Sequence, residues 1–167
     1  ELLVESPIYV IPTPLHDSKS GAVKNKSIDQ RSGLLSVGRL IKRKGFLYLL
    51  DAFNIVIQEI PDTHLTIIGD GPDYDLIIGY IKEKSLTKSV HIRRNISDKL
   101  LYENYGSHKL FILANLMLEN GDCEGAPNVL IEAASYGLPS IAGIEGGTSD
   151  VVENEKTGFL LDPKDTT

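Results

Sequence analysis

Cysteine is nearly missing from this chain of 167 residues, which carries Cys123 alone. An internal disulfide is therefore excluded, and a reducing compartment fits. Cys123 stands beside Glu124, but no histidine lies near it in sequence, so it reads as a packing or loop cysteine rather than a reactive thiol. Long apolar runs are missing too. No stretch is long enough to span a bilayer, and no signal peptide is recognisable. The Asn-x-Ser sites at Asn25 and Asn95 then carry no meaning as glycan acceptors. Basic residues are in deficit, 17 against 23 acidic, for a formal net charge of −6. General nucleic-acid binding needs a basic surface and is not expected. A small anionic ligand needs only local positive charge and stays open. The histidines (His16, His64, His91 and His108) stand at no metal-ligand spacing with cysteine, histidine or acid, so no metal site is expected. Asp70, Asp73 and Asp75 lack the glutamate that closes a calcium loop. No Ser-His-Asp arrangement suggests itself, and no internal repeat stands out.

What remains is an ordinary globular composition, 41% hydrophobic and 24% charged, long enough for one domain with a full core. Short apolar runs alternate with helical periodicity, which implies parallel strands joined by crossover helices. Strands are expected at residues 8–11, 34–37, 65–68, 90–92, 110–113 and 140–142, with residues 158–161 extended. Phe46, Leu49, Leu50, Phe53, Val56, Ile57 and Ile60 recur at helical steps and form one apolar face, ended by Pro61. A second helix puts Leu76, Ile77, Tyr80 and Ile81 inside. Ser97 is the expected cap of a third, which carries Leu100, Leu101 and Tyr105. A fourth begins at Pro127 and stops at Gly137, with Pro139 beyond. His64 and His91 border strands and read as structural. Residues 17–32 are polar and lysine-rich and read as a mobile loop. The fold class is doubly wound, Rossmann-like α/β, with a mostly parallel sheet and helices on both faces. One unit spans 1–167, with a leading strand and loop over 1–33 and a motif-bearing core over 34–162. The chain lacks an initiator methionine and ends near a turn, which reads as a piece of a longer protein.

Open sheets of this kind bind ligands beyond the carboxyl ends of their strands, where the unusual sequences fall. Residues 38–45 form a basic island, with Arg39 and Lys44 as anion ligands and Lys42 and Arg43 facing water. Gly69-Asp70-Gly71-Pro72 allows a close backbone approach or is a plain tight turn. The segment from Cys123 to Glu132 sets two carboxylates, Glu124 and Glu132, eight residues apart around a helix start. Pro127 suits the first helical position. Ala126, Asn128 and Val129 then offer backbone N–H groups to an anion. Carboxylates repel phosphate, so these two should hold hydroxyls. A phosphate flanked by hydroxyl-bearing groups describes a nucleotide sugar.

Taken in order, these segments resemble the retaining glycosyltransferases of family 4. The resemblance rests on Val37-Gly38-Arg39-Leu40 with Lys44-Gly45, on Gly69-Asp70-Gly71-Pro72, on the stretch from Glu124 to Glu132, on Gly137-Leu138-Pro139 and on Gly146-Gly147. The chain looks like their C-terminal, donor-binding domain, one half of a GT-B fold. The resemblance implies that Arg39 and Lys44 hold the donor diphosphate and that Glu132 bonds the ribose hydroxyls. Glu124 would contact the transferred sugar as the catalytic candidate. Amides of residues 126–129 (Ala126, Pro127, Asn128 and Val129 in sequence) would line the phosphate and sugar, Ile96 would read the base through its main chain, and Gly38 and Gly71 complete the donor-binding set. The expected donor is a UDP-sugar, with GDP-sugar second, and no metal or other cofactor. The expected activity is retaining hexosyl transfer in polysaccharide or glycoconjugate synthesis, in the cytoplasm or at the cytoplasmic face of the membrane. The acceptor domain lies outside this chain, so the chain alone is expected to turn over little. Alternatives are a non-catalytic module used for protein contact and a sugar-nucleotide epimerase. Arg94 stands where the family commonly has glycine, Ala126 where a bulky aromatic is frequent, Thr13-Pro14 where it has Asn-Gly, and Asp150 where it has glutamate. Residues 115–122 are longer than usual. Base, sugar, acceptor and oligomeric state stay open at this stage.

Overall fold

The computed structural model describes residues 26–165. The expected strand at 8–11, the Thr13-Pro14 pair and His16 lie outside them. Six parallel strands form one sheet: β1 (Leu34–Val37), β2 (Leu65–Ile68), β3 (Val90–Arg93), β4 (Leu110–Leu113), β5 (Ser140–Gly143) and β6 (Gly158–Leu161). Their spatial order is β3-β2-β1-β4-β5-β6, with every neighbouring pair parallel. The crossovers carry α1 (Phe46–Glu59), α2 (Tyr74–Glu83), α3 (Asp98–Ser107) and α4 (Asn128–Ser135). All residues of β2 are buried, as expected of a parallel strand covered on both faces.

The pleat divides the core in two. Leu65, Ile67 and Val90 point to the face covered by α1 and α2, where Phe46, Leu49, Leu50, Phe53, Ile77 and Ile81 meet them. Leu35, Val37, Ile68, Phe111, Leu113 and Ala142 point to the other face, under Tyr105 of α3 and Leu130 and Ala133 of α4. The periodic positions do not all go inside. Val56, Ile60 and Leu76 were expected there but are 37%, 56% and 57% exposed. Val56 and Leu76 sit at the margin of their helical stripes, and Ile60 is the C-cap beyond the end of α1. The buried set narrows to steps of three and four.

Helix ends follow local chemistry. Ser97 Oγ accepts from Leu100 N–H at 3.3 Å and caps α3. Past α4, Gly137 has φ +65°, and its N–H and that of Leu138 bond the carbonyls of Ala134 and Ala133, which satisfies carbonyls left over by the helix. The described part of the expected mobile loop is tied down. Lys26 N–H donates to Gly106 O and Ser32 N–H to Ser107 O. Arg31 is buried, 7% exposed, with Nη2 on Tyr136 O at 2.9 Å. A cation at the carbonyl end of α4 is favourable, which a count of polar residues does not reveal. No helix among the described residues is long and apolar enough to cross a membrane.

Candidate functional site: a cationic turn facing an uncapped helix start

Strand order reverses between β1 and β4, and the loops that follow these strands face each other there. Backbone bonds stitch four loops together. Leu116 N–H donates to Arg43 O at 2.8 Å, joining the loop after β4 to the loop after β1. Leu40 N–H donates to Asp70 O at 2.8 Å and Asp73 N–H to Leu40 O at 3.1 Å, joining in the loop after β2. Gly147 N–H donates to Glu124 O at 3.1 Å from the loop after β5. Asn115, fully buried, accepts from Gly143 N–H and donates to Glu145 O at 2.8 Å.

On this frame a short 3₁₀ turn, Lys42–Lys44, aims two cations at one carboxylate. Lys44 Nζ lies 3.0 Å from Glu124 Oε2, and Arg43 Nε donates to Glu124 Oε1 at 2.8 Å. Arg43 also reaches Asp122, at 2.9 Å to Oδ1. Glu124 is only 11% exposed, so its charge needs such partners. Its hydrogen bond to Arg43 holds the guanidinium pKa above its ordinary value, with Asp122 adding to the effect. Arg43 was expected to face water; it is half-buried between two carboxylates. The turn between strand and helix rotates it inward, and sequence spacing alone carries no such information. Lys42 is exposed, as expected. Arg39 is exposed on the same loop, and its guanidinium has no ion-pair or hydrogen-bond partner among the described residues. Gly38 lies beside the Lys44 stem, where a Cβ would sit 3.3 Å from Lys44 Cε.

Residues 124–128 lead from this cluster into α4. Pro127 is the N-cap, at φ −73° and ψ 114°, and not the first helical residue as expected. Its extended ψ delays the helix by one position, so Asn128 and Val129 open the first turn. No side chain caps that turn, and the helix dipole favours an anion there. Ala126 is half-buried next to Gly147, and Asn128 is exposed.

Glu132 sits in the second turn of α4, half-buried. Tyr105 Oη donates to its Oε2 at 2.8 Å. Burial pushes the Glu132 carboxyl pKa up, while the Tyr105 hydrogen bond pulls it down and Asp98 adds to the rise. Burial likewise raises the Tyr105 phenol.

Gly71 packs on the loop after β1, where an added Cβ would lie 2.3 Å from Leu40 O. That contact makes Gly69-Asp70-Gly71-Pro72 a packing junction between two site loops. Arg94 pairs with Asp70 at 2.8 Å and lies 4.1 Å from the Tyr74 ring centroid. The hydrogen bond from Arg94 lowers the Asp70 pKa, and the Gly71 N–H adds to it. Ile96 is half-buried against the core beneath α3 and α4. Of the histidines described, His108 is buried, with Nδ1 on Asn104 O at 2.7 Å and Nε2 on Thr66 Oγ1 at 3.1 Å. The Asn104 carbonyl can only accept, so Nδ1 carries the proton and donates, and Nε2 accepts from the threonine hydroxyl. Burial depresses the His108 pKa, and it serves as a structural strut.

Residues 20–167 match the family described as group 1 glycosyl transferases. The chain belongs to that family. An uncharacterized glycosyltransferase of Haemophilus influenzae is 32% identical over 90% of this chain and 39% of its own length. A GDP-mannose-dependent α-(1-6)-phosphatidylinositol monomannoside mannosyltransferase of Mycolicibacterium smegmatis is 28% identical over 91% of this chain and 40% of its own. The chain thus spans about two fifths of the length of these curated relatives. In structure it resembles the pneumococcal O-GlcNAc transferase GtfA, solved with UDP and GlcNAc. That likeness has a TM-score of 0.69 at 22% identity, over 79% of this chain and 24% of that one. The shared architecture is the Rossmann-like half of a GT-B fold.

The sequence reading missed Arg43, Asp122, Asn115 and Tyr105. Arg43 and Asp122 are opposite charges on loops at the same carboxyl end of the sheet, which allows a pair, but only the folded turn shows that they meet. Asn115 and Tyr105 had no signal, because a buried amide and a core phenol look like any other.

Proposed function

We propose that this chain is the donor-binding half of a retaining glycosyltransferase that moves a hexose from a nucleoside-diphosphate sugar to an acceptor. The facing acceptor domain lies outside the chain. One observation carries the reading: Lys44 and Arg43 converge on Glu124 immediately before a helix N-terminus that no side chain caps. The four cations of residues 39–44 outnumber the carboxylates Asp122 and Glu124 that two of them face. A diphosphate there gains Arg39, the remaining donors of Lys44 and the first-turn amides of α4.

Breaking the glycosidic bond leaves negative charge on the departing nucleoside diphosphate. Fixed cations and the helix dipole stabilise that charge as it develops. Neutralisation by side chains and backbone, with no resident metal, is part of the proposal. Glu124 keeps a lone pair on each oxygen after its ion pairs and accepts from hydroxyls of the transferred sugar. With Glu124 held by two cations, attack from the leaving-group face fits better than a covalent glycosyl-enzyme, and the anomeric configuration is retained. Glu132 takes the ribose, Ile96 the base. Uridine diphosphate is the first choice, on the ligand of the pneumococcal structure; guanosine diphosphate is second, on the mannosyltransferase relative. Synthesis of a polysaccharide or glycoconjugate in the cytoplasm suits a chain with one free cysteine.

Calorimetry tests the reading on this chain. One of the two nucleoside diphosphates should bind and raise the melting temperature. Arg39→Ala and Lys44→Ala should each weaken it about tenfold, the worth of one charge-assisted hydrogen bond, and EDTA should leave the affinity unchanged. Unaltered heats in both variants would count against the diphosphate site, and the non-catalytic alternative would then lead.

A further inference from the structure

Tyr105 is a core residue with a single polar atom to place. It is 0% exposed. Its ring stacks on Tyr136 at 5.8 Å between centroids and leans on Phe111 at 5.9 Å. Tyr136 stacks in turn on Tyr102 at 6.0 Å. A ring clamped in this way holds its hydroxyl in one direction, and the hydroxyl donates to Glu132 Oε2. Glu132 Oε1 makes no hydrogen bond among the described residues. The glutamate is therefore gripped by one oxygen and presents the other.

We propose that Tyr105 is the positioning residue of the donor site, fixing Glu132 so that its second oxygen accepts from the ribose hydroxyls of a nucleoside diphosphate. The proposal rests on reading Glu132 as the ribose ligand. A free glutamate side chain gives up rotamer freedom each time it binds, and a held one has given it up already. A charged acceptor also bonds hydroxyls about twice as strongly as a neutral one. Burial and Asp98 work against that charge, and the Tyr105 hydrogen bond defends it. Glu132 is faced by Tyr105 and Asp98 of α3 and by Tyr136 at the end of α4. With the Tyr105 phenol pKa raised, the group stays a donor throughout the neutral range.

The probes are uridine and guanosine diphosphate with their 2′,3′-dideoxy counterparts, titrated into this chain from neutral pH down to about pH 4, the ordinary carboxylate range above which burial shifts Glu132. Affinity for the ribose form should be full above the Glu132 pKa and fall as acid protonates the carboxylate. Tyr105→Phe keeps the ring and removes the grip. Expected is a loss of about tenfold for the ribose nucleotide, little change for the dideoxy form, and an acid limb moved to higher pH. A purely structural role would lower the melting temperature while leaving the ribose preference and the limb in place, and that result overturns the proposal. Glu132→Ala separates the two levels. If it leaves the ribose preference intact, the reading of Glu132 falls. If it abolishes the preference and Tyr105→Phe does not, the positioning role alone falls. Should Tyr105→Phe fail to fold, 3-fluorotyrosine placed at position 105 keeps the shape with a more acidic hydroxyl. The acid limb should then move to lower pH, and an unmoved limb overturns the proposal. Absence of binding by either ribose nucleotide to the wild-type chain overturns both.

Discussion

Arg43 shows how one side chain can make two like charges compatible. Glu124 is a carboxylate at the mouth of a site read as taking an anion, and without a partner it would repel that anion. Arg43 and Lys44 divide its oxygens between them, so the field toward the ligand stays positive. Removing Arg43 leaves Glu124 to claim Lys44 alone. Arg43→Ala should weaken nucleoside diphosphate binding by about fivefold at low salt, with the loss shrinking above about 0.5 M salt as screening shortens the reach of both charges. Calorimetry at two ionic strengths reads it. The Arg43 side chain is one-third exposed, so the stability cost should stay within about 1 kcal/mol. An equal loss at both salt concentrations would point to a packing role instead.

At the scale of elements, two glycines with the same backbone angle do different work. Gly45 precedes α1 at φ +65°, and a Cβ there would fall 1.7 Å from Ala114 O. It lets the start of α1 touch the loop after β4, which brings the cationic turn to Glu124. Gly137 follows α4 at φ +65°, with no atom within 4 Å of an added Cβ. Gly137→Ala should therefore cost only the left-handed penalty, about 1–2 kcal/mol. Gly45→Ala should cost that plus a backbone clash, about 3 kcal/mol or more, and should weaken nucleotide binding as well. Urea unfolding of both variants, with titration of the folded fraction, checks the contrast. Equal destabilisation would show that the α1 junction yields without strain.

For the whole molecule, the sheet order sets the ranking of local stability. β1 lies between β2 and β4 and is covered on both faces, whereas β3 and β6 are the edges. Half of the β6 pattern is open, with Phe159 and Leu161 each 52% exposed. Amide exchange should be slowest at Leu35 and Ile67 and fastest among the strands at Phe159 and His91, since edge strands open at lower cost. Uniform protection across the strands would contradict this ranking. Sequence alone determined the alternation of strands and helices, the ends set by Ser97 and Gly137, and the motif-bearing loops. Those features depend on periodicity, capping and turn chemistry among neighbours within a few residues. Only tertiary structure decided that Arg43 turns inward, that α4 starts at Asn128, that Leu76 stays outside, and that a phenol from α3 meets the carboxylate of α4. These follow from which groups share a small volume, and packing at the point where strand order reverses brings together residues up to 81 positions apart.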